Sequence, residues 1–242
     1  MSEILVERHG PWAEIIFNRP ERRNAINHGF GLKFRDALRE LNADDSVGVV
    51  VLSGAGGAFC SGLDLKEFGV SPPPPWHAEF SRAWVDVHHL LLESKKVLVT
   101  ALQGGAINGG AAVALAGDLM VAGRTAFVQV GEAQFGMPLP RNASWLVLRH
   151  GEAMAMRFAL MAERVLGQDL FRLGVATEVV DDDQVLPRAR ALAERISAFP
   201  LAGLRAAKAS IRNTSVRAGA LDWFQPALDA SPLKPFVPAR VS

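Results

Sequence analysis

The sequence predicts an α/β fold, and three of its features support that prediction. Strand-like runs rich in valine and isoleucine alternate with stretches in which apolar residues recur at helical spacing. Glycine-rich loops separate the two kinds of segment, as is common where a buried strand leads into a helix. The 242 residues are 49% hydrophobic, which is enough to bury a sizeable core. This alternation favours parallel strands joined by right-handed crossovers.

The N-terminal elements follow a β-β-α order. The run ILVERHGPWAEIIFNRP predicts two strands around a Gly-Pro turn. The helix that follows is marked by apolar residues at helical spacing: Phe30, Phe34, Ala37, Leu38 and Leu41. A further strand, VGVVVLSG, leads into GAGGAFCSGLDLKEF. Prolines 72 to 75 are expected in a surface loop within the domain, and the next helix carries one apolar stripe: Phe80, Trp84, Val87 and Leu91.

The middle of the chain repeats this organisation. KKVLVTALQGG predicts another buried strand, and QGGAINGGAAVALAGD follows with four glycines among seven residues. An alanine-rich helix is expected from about 110 to 116, then two short strands around AGRTAFVQV. From Gly151 onward the chain is predicted to be mostly helical, because three segments are amphipathic: EAMAMRFALMAERV, LPRARALAERISAF and LAGLRAAKASIRN.

Composition excludes several functional classes. Lys and Arg total 26 against 25 Asp and Glu, so no overall field attracts nucleic acid or an anionic membrane. No run approaches about 18 apolar residues, and the acidic start does not resemble a signal peptide, so we expect a cytoplasmic protein without a membrane span. The single cysteine, Cys60, can form neither an internal disulfide nor a cysteine cluster for zinc. A packed thiol is favoured over a nucleophile at this position.

The glycine loops do not match the phosphate-binding motifs. Gly104 and Gly109 have the spacing of a P-loop, but no lysine or hydroxyl residue follows them. The dinucleotide pattern would require glycine or alanine at Phe59. By contrast, Gly62-Leu63 and Gly109-Gly110 each follow a buried strand at the entrance to a helix, where backbone N–H groups are unpaired. Two such entrances facing one pocket would form an oxyanion hole, although glycine content alone favours tight turns and close helix packing.

Three motifs together carry a resemblance. NRPERRNAIN, GAGGAFCSGLDLKEF and ALQGGAINGGAAVALAGDLMVAGRTAFVQVGEAQFGM, in this order, resemble the enoyl-CoA hydratase/isomerase (crotonase) family over roughly residues 3 to 215. The resemblance implies a crotonase-like spiral of repeated β-β-α units with a helical C-terminal region. It also implies homotrimers or hexamers. We therefore expect a core over residues 1–195 and a helical extension over residues 196–242 that serves oligomerisation.

The resemblance also assigns the residues of an acyl-CoA site. It implies that the N–H groups of Leu63 and Gly109 hold the thioester oxygen of an acyl-CoA substrate. Arg22, Arg23, Ala25 and Lys66 are implied to lie along the coenzyme A moiety, where the basic side chains would neutralise its phosphates. Coenzyme A is expected only as part of the substrate, with no tightly bound cofactor and no metal.

A catalytic base is implied at Glu132. Family hydratases place one glutamate on the helix after the second glycine loop and another beyond the following strands. This chain has Ala112 at the first position and Glu132 at the second. Asn108 also replaces the first glycine of a usual triplet, and MPLPRNAS replaces a glycine-rich helix entrance, so the pocket beside Glu132 departs from the family pattern.

One base suffices for double-bond isomerisation of an enoyl-CoA, which is the favoured activity. Hydration requires a second group to activate water, so enoyl-CoA hydratase is the alternative within this class. A non-catalytic acyl-CoA-binding subunit and a scaffold that organises partners remain as alternatives from other classes.

Several other residues are interpreted as structural. His88 and His89 are expected to be partly exposed packing residues, because no further metal ligand or carboxylate lies at ligand spacing. Asp64 and Asp118 are expected to cap helices or to form structural pairs. Trp145 is a candidate for the acyl pocket, and Phe224, near Trp223, is a candidate contact to a neighbouring subunit's coenzyme.

Overall fold

The computed structural model describes residues 2–215, and within them the chain forms nine strands and nine helices. The strands are β1 (Ile4–His9), β2 (Trp12–Phe17), β3 (Val49–Gly54), β4 (Val97–Leu102), β5 (Gly105–Ile107), β6 (Leu119–Gly123), β7 (Phe127–Gln129), β8 (Arg164–Leu166) and β9 (Glu178–Val180). The helices are α1 (His28–Ala43), α2 (Leu65–Phe68), α3 (His77–Glu93), α4 (Gly109–Leu115), α5 (Pro140–His150), α6 (Glu152–Met161), α7 (Gly167–Arg172), α8 (Val185–Ser197) and α9 (Leu201–Ser215).

The strands form two sheets. The larger has the order β1-β2-β3-β4-β6-β9, in which only β1 and β2 are antiparallel. The smaller has the order β5-β7-β8, with β5 and β7 parallel. Because β4 leads into β5 and β6 into β7, the chain enters the larger sheet first in each of these repeats and then the smaller one. This is the predicted α/β arrangement of β-β-α units, and it confirms the fold class.

Helices cover both faces of the larger sheet. On one face, α8 packs its apolar stripe against Val49, Val51, Val99 and Val121. On the other face, the main core includes buried residues of α1, α3 and α4. Burial on both faces explains why the central strands read as continuous apolar runs rather than as an alternating pattern.

Most of the predicted elements are present. The two N-terminal strands, the strands of the central repeats and the helices carrying the expected apolar stripes all form within the described residues. Sequence reasoning missed β5, β8 and β9, each of three residues, and the helices α5 and α7. The predicted helical segment EAMAMRFALMAERV is wrong at its end, because α6 stops at Met161 and Arg164 and Val165 pair with β7 as part of β8. Helix α8 runs across residue 195, and the separate role of the segment from 196 onward stays a prediction. Trp223 and Phe224 lie outside the described residues.

Candidate active site

The two glycine loops lie side by side. Cys60 donates a hydrogen bond from its N–H to the Gly105 carbonyl at 3.1 Å, and Ile107 donates to the Cys60 carbonyl at 3.0 Å. Cys60 therefore continues the small sheet beside β5 through a single bridge to Ala106. This pairing brings residues 60–63 next to the entrance of α4. The thiol of Cys60 is buried, which raises its pKa to about 12 and makes it inert, as predicted.

The N–H of Leu63 points away from the neighbouring segment that contains Ile26. Leu63 bridges to Ile26 in parallel, but the two bonds of that bridge use the Gly62 carbonyl and the Asp64 N–H. Successive N–H groups of an extended chain point to opposite sides, so that of Leu63 points away from Ile26. Gly62 has φ +87°, and a Cβ there would lie 2.8 Å from the Ile107 carbonyl oxygen. Only glycine allows so close an approach of the two loops.

Gly109 is the first residue of α4, and its N–H lies at the open end of that helix. The first helical bond runs from the Ala112 N–H to the Asn108 carbonyl at 3.0 Å, and the side chain of Asn108 does not cap the helix. Among residues 2–215, no oxygen accepts a hydrogen bond from the N–H of Leu63 or Gly109. Two adjacent, unpaired donors at this position can stabilise a negative oxygen.

The side chain of Glu132 is held beside these loops. It follows β7 in a short helical turn, and its Oε1 accepts a 2.6 Å hydrogen bond from Nδ2 of Asn142. Its Oε2 is buried and has no hydrogen-bond partner among the described residues. Burial raises the pKa of Glu132, while its own backbone N–H and Asn142 oppose that rise. A desolvated carboxylate of this kind suits the transfer of a proton.

The helix position that carries glutamate in family hydratases is apolar here. Ala112 is 0% exposed, and its neighbours in α4 are buried as well. The Asn108 carbonyl accepts the backbone hydrogen bond from the Ala112 N–H. It also accepts a 3.0 Å hydrogen bond from Nδ2 of Asn142. The side chain that contacts the start of α4 is thus a neutral amide, and position 112 carries no second carboxylate.

The predicted coenzyme A residues gather along the first loop. The Ser61 N–H binds the Arg23 carbonyl at 3.1 Å, which places segment 22–26 beside residues 61–64. Arg22 lies 3.6 Å from Asp64, and the side chains of Arg23 and Lys66 are exposed. These basic groups are available to an anion.

Ala25 differs from the other three predicted residues. Its N–H donates to the Arg22 carbonyl at 3.1 Å, and its own carbonyl accepts a 2.6 Å bond from Arg19. The backbone of Ala25 is thus already hydrogen-bonded within the loop, and its role toward coenzyme A stays a prediction.

His88 differs from the expectation of partial exposure. It is 0% exposed, and its Nδ1 accepts a 3.0 Å hydrogen bond from Nε1 of Trp145. Burial lowers its pKa well below the usual value, with further lowering from Arg141 and His89, so the imidazole is neutral. Trp145 is also 0% exposed, which makes it a core residue rather than a freely accessible wall of an acyl pocket.

Asp64 and Asp118 have the structural roles predicted for them. Asp64 accepts a bond from the Lys66 N–H at the start of α2 and pairs with Arg19 at 3.1 Å. Asp118 pairs with Arg149 at 2.9 Å and with Lys208 at 2.6 Å, and these cations keep its pKa low although burial acts to raise it. The ion pair between Lys208 of α9 and Asp118, which directly precedes β6, holds α9 against the larger sheet.

One group of ligand-type side chains occurs in the described part of the chain: Glu7, His9 and Glu14. Glu14 is buried, and its two oxygens accept hydrogen bonds from Ser53 and Arg190. Because both oxygens of Glu14 are occupied, this group is better explained as an ion-paired part of the sheet.

Sequence reasoning missed two buried asparagines. Asn24 is 0% exposed and donates to the carbonyls of Ala55 and Ala58 at 2.9 and 2.6 Å, which fixes the loop after β3. Asn142 is 1% exposed and contacts Glu132. It lies in MPLPRNAS, the segment that departs from the family pattern, and Pro140 at the start of α5 was the signal that a helix begins there.

Comparisons with known proteins indicate one family. The family model described as enoyl-CoA hydratase/isomerase matches residues 7–222. A probable enoyl-CoA hydratase (echA12) of Mycobacterium bovis is 32% identical over 87% of this chain and 77% of its own length. A 1,2-epoxyphenylacetyl-CoA isomerase of Escherichia coli is 30% identical over 82% of this chain and 78% of its own.

The structure of Pseudomonas aeruginosa DspI is similar with a TM-score of 0.81 and 28% identity, covering 95% of this chain and 94% of that one. Among residues 2–215, no helix has the length and apolar content needed to cross a membrane.

Proposed function

Because the chain belongs to the enoyl-CoA hydratase/isomerase family and is an enzyme of that family, we propose that it moves the double bond of a 3-enoyl-CoA to the 2-position. The family acts on coenzyme A thioesters, which supply coenzyme A as part of the substrate. The observation that carries the proposal is that one of the two glutamates of family hydratases is replaced: Glu132 is present and half-buried near the glycine loops, whereas the other position is Ala112.

The proposed reaction needs one base and one oxyanion hole. The N–H groups of Leu63 and Gly109 bind the thioester oxygen, which makes the C2 protons more acidic. Glu132 takes a proton from C2, and the electron pair forms an enolate whose charge rests on that oxygen. The enolate then collapses as C4 takes the proton back, so the C3–C4 double bond is replaced by one between C2 and C3. No atom is gained or lost overall.

The burial of Glu132 supports this role. Its raised pKa brings the carboxyl closer to the pH at which it can both take and return a proton. Its free Oε2 leaves one acceptor for the transferred proton. Hydration would require a second group to activate water, and the neutral Asn142 at the start of α4 cannot act as a base.

The binding of the coenzyme A moiety is assigned to the loop before α1 and to α2. Arg22, Arg23 and Lys66 carry the charges for its phosphates, and Ala25 belongs to the same segment. The exposed positions of Arg23 and Lys66 support this assignment. A cytoplasmic location also stays part of the proposal.

A homotrimer or a hexamer of this chain is proposed as the assembled form. Exposed apolar side chains on α6 support an interface with a second copy: Met156, Leu160 and Met161. We expect the segment from residue 196 onward to take part in this assembly.

The test is a screen of the purified protein with 3-enoyl and 2-enoyl CoA thioesters of several chain lengths in D₂O. Ultraviolet spectra follow conjugation, and mass spectrometry follows deuterium and added water. We expect conversion of a 3-enoyl-CoA to its 2-enoyl isomer together with deuterium uptake. Binding without turnover of any thioester would favour a non-catalytic acyl-CoA-binding subunit, and failure to bind any of them would favour a scaffold.

A further inference from the structure

Asn142 makes two hydrogen bonds with one amide group. Its Nδ2 lies 2.6 Å from Oε1 of Glu132 and 3.0 Å from the carbonyl oxygen of Asn108. A carboxylate and a carbonyl can only accept, so the amide nitrogen of Asn142, not its oxygen, faces both of them. The side chain is 1% exposed and is held on the first turn of α5, just after Pro140.

The first of these bonds acts on the base. It fixes the orientation of the Glu132 carboxylate and occupies Oε1. Oε2 is buried and has no hydrogen-bond partner among the described residues. Oε2 is therefore the oxygen left to receive a proton, and the bond to Oε1 determines where it points.

The second bond acts on the oxyanion donor. The carbonyl of Asn108 and the N–H of Gly109 are the two ends of one planar peptide group and point in opposite directions. A hydrogen bond that holds the carbonyl therefore also sets the direction of the Gly109 N–H. The same bond polarises the peptide group and strengthens its N–H as a donor.

Asn108 has an unusual backbone conformation that suits this role. Its φ and ψ are 50° and −111°, values that a residue other than glycine rarely adopts. Its N–H binds the Gln129 carbonyl at 2.9 Å, and its Oδ1 accepts a 2.8 Å bond from the N–H of Gly131. Asn108 is thus tied both to Asn142 and to the residue that precedes Glu132.

We propose that Asn142 is a positioning residue that sets the proton-accepting carboxylate and the oxyanion-binding peptide relative to each other. This inference rests on the proposed function for the roles of Glu132 and Gly109. The segment MPLPRNAS, which departs from the family pattern, thereby supplies one neutral amide that orients both the Glu132 carboxylate and the Gly109 N–H.

The electrostatic surroundings of Glu132 make its titration a readout of this contact. The charged or titratable groups on the helices packed near it, α5 and α6, are Arg141, Arg149, His150, Glu152 and Arg157. Of the described residues, only Glu132 itself and Asn142 oppose the effect of burial on its pKa. Removing the Asn142 donor should therefore raise that pKa further.

The test compares Asn142→Ala and Asn142→Asp with the wild type. In Asn142→Ala, we expect kcat to fall by about 10²-fold with a much smaller change in KM, because the amide does not touch the substrate and the oxyanion contact that it directs is strongest in the transition state. The acid limb of the kcat profile should move up by about one pH unit. Asn142→Asp should move the acid limb further, because a second carboxylate opposes ionisation of Glu132.

Asn42→Ala is the matched control. Asn42 also donates to a backbone carbonyl, that of Leu90 at 3.0 Å, but it joins α1 to α3 and has no contact with Glu132 or Asn108. We expect this variant to lose stability without any movement of the acid limb. If Asn142→Ala fails to fold, Asn142→Ser, which keeps one donor, should give a smaller shift in the same direction.

A direct titration separates this inference from the proposed reaction. The pKa of Glu132 can be followed by NMR with ¹³C-labelled glutamate, in the absence of substrate, using Glu132→Gln to assign its signal. We expect a higher pKa in Asn142→Ala than in the wild type, whatever reaction the enzyme catalyses. An unchanged pKa together with an unchanged kcat would overturn the positioning role, whereas a shifted pKa in an enzyme without isomerase activity would overturn only the proposed function.

Discussion

Nδ2 of Asn142 donates a 2.6 Å hydrogen bond to Oε1 of Glu132, across the gap between the start of α5 and the turn after β7. The proposed base is therefore held by a helix that lies beyond it in the chain and not by the sheet alone. The segment that brings Asn142 there, MPLPRNAS, is the one in which the sequence departs from its family. The segment that does not follow the family pattern thus provides the hydrogen bond that holds the proposed base.

Replacing Gly109 with proline should abolish the oxyanion contact. Proline has no N–H and is tolerated at the first position of a helix. We expect turnover to fall by about 10²- to 10³-fold, measured by steady-state kinetics after circular dichroism has established folding.

Gly109→Ala is the matched control for that variant. It keeps the N–H, and its Cβ would lie 3.2 Å from Cδ1 of Ile26, the end of a flexible side chain that can move slightly. Alanine should therefore retain most of the activity. A folded proline variant with wild-type turnover would mean that the N–H of Gly109 does not bind the thioester oxygen.

Replacing Glu132 with glutamine should stop proton transfer at C2. Glutamine keeps the shape and can still accept the bond from Asn142, but it is not basic. We expect isomerisation and deuterium exchange at C2 to fall by about 10²- to 10⁴-fold, with substrate binding retained. Mass spectrometry in D₂O measures the exchange, and Glu163→Gln, at an exposed position, is the control. Full exchange in Glu132→Gln would mean that another residue is the base, and His88 and His89 would be examined first.

The same variant should alter how stability depends on pH. Burial raises the pKa of Glu132 above its ordinary 4.5, so the folded state holds this proton more tightly than the unfolded state. The wild type therefore loses stability as the pH rises from below 4.5 through the folded-state pKa. Glu132→Gln avoids that loss, and its relative free energy of unfolding should increase over this range and then level off. Urea unfolding between about pH 4 and 8 measures this, and a difference independent of pH would contradict it.

A charge on α6 should weaken the proposed assembly. Leu160 is 73% exposed, next to Met161, which is 55% exposed. We expect Leu160→Glu to shift the mass measured by light scattering from the trimer or hexamer toward the monomer, because an interface would bury the new charge. Val70→Glu, at a 48% exposed position after α2, should leave the mass unchanged. A wild-type mass for Leu160→Glu would place the interface on another surface.

The regular elements were predictable because their patterns are local. The strands β2, β3 and β4 are long apolar runs, and α1 repeats its buried residues at helical spacing. The strands β5, β8 and β9 have three residues each, too few to show a period, and they form by pairing with distant segments.

The details of the site depend on contacts that are distant in the sequence. The Trp145–His88 bond joins residues 57 positions apart and explains why His88 is buried rather than partly exposed. The buried contacts of Asn24 span 31 and 34 positions. Local sequence patterns predict turns at such asparagines. The neighbouring residues in the chain do not show which distant carbonyl the side chain will bind.

The central claim is that one carboxylate shifts a double bond without adding water. The most direct measurement compares two rates of the unmodified protein: conversion of a 3-enoyl-CoA to its 2-enoyl isomer, and addition of water to that 2-enoyl product. Because Ala112 cannot activate water, we expect isomerisation to be much the faster. Ala112→Glu is a weaker test than this comparison, because it buries a new charge at a 0% exposed position and can fail through instability alone. Efficient water addition by the native protein, with no detectable double-bond shift, would contradict the account.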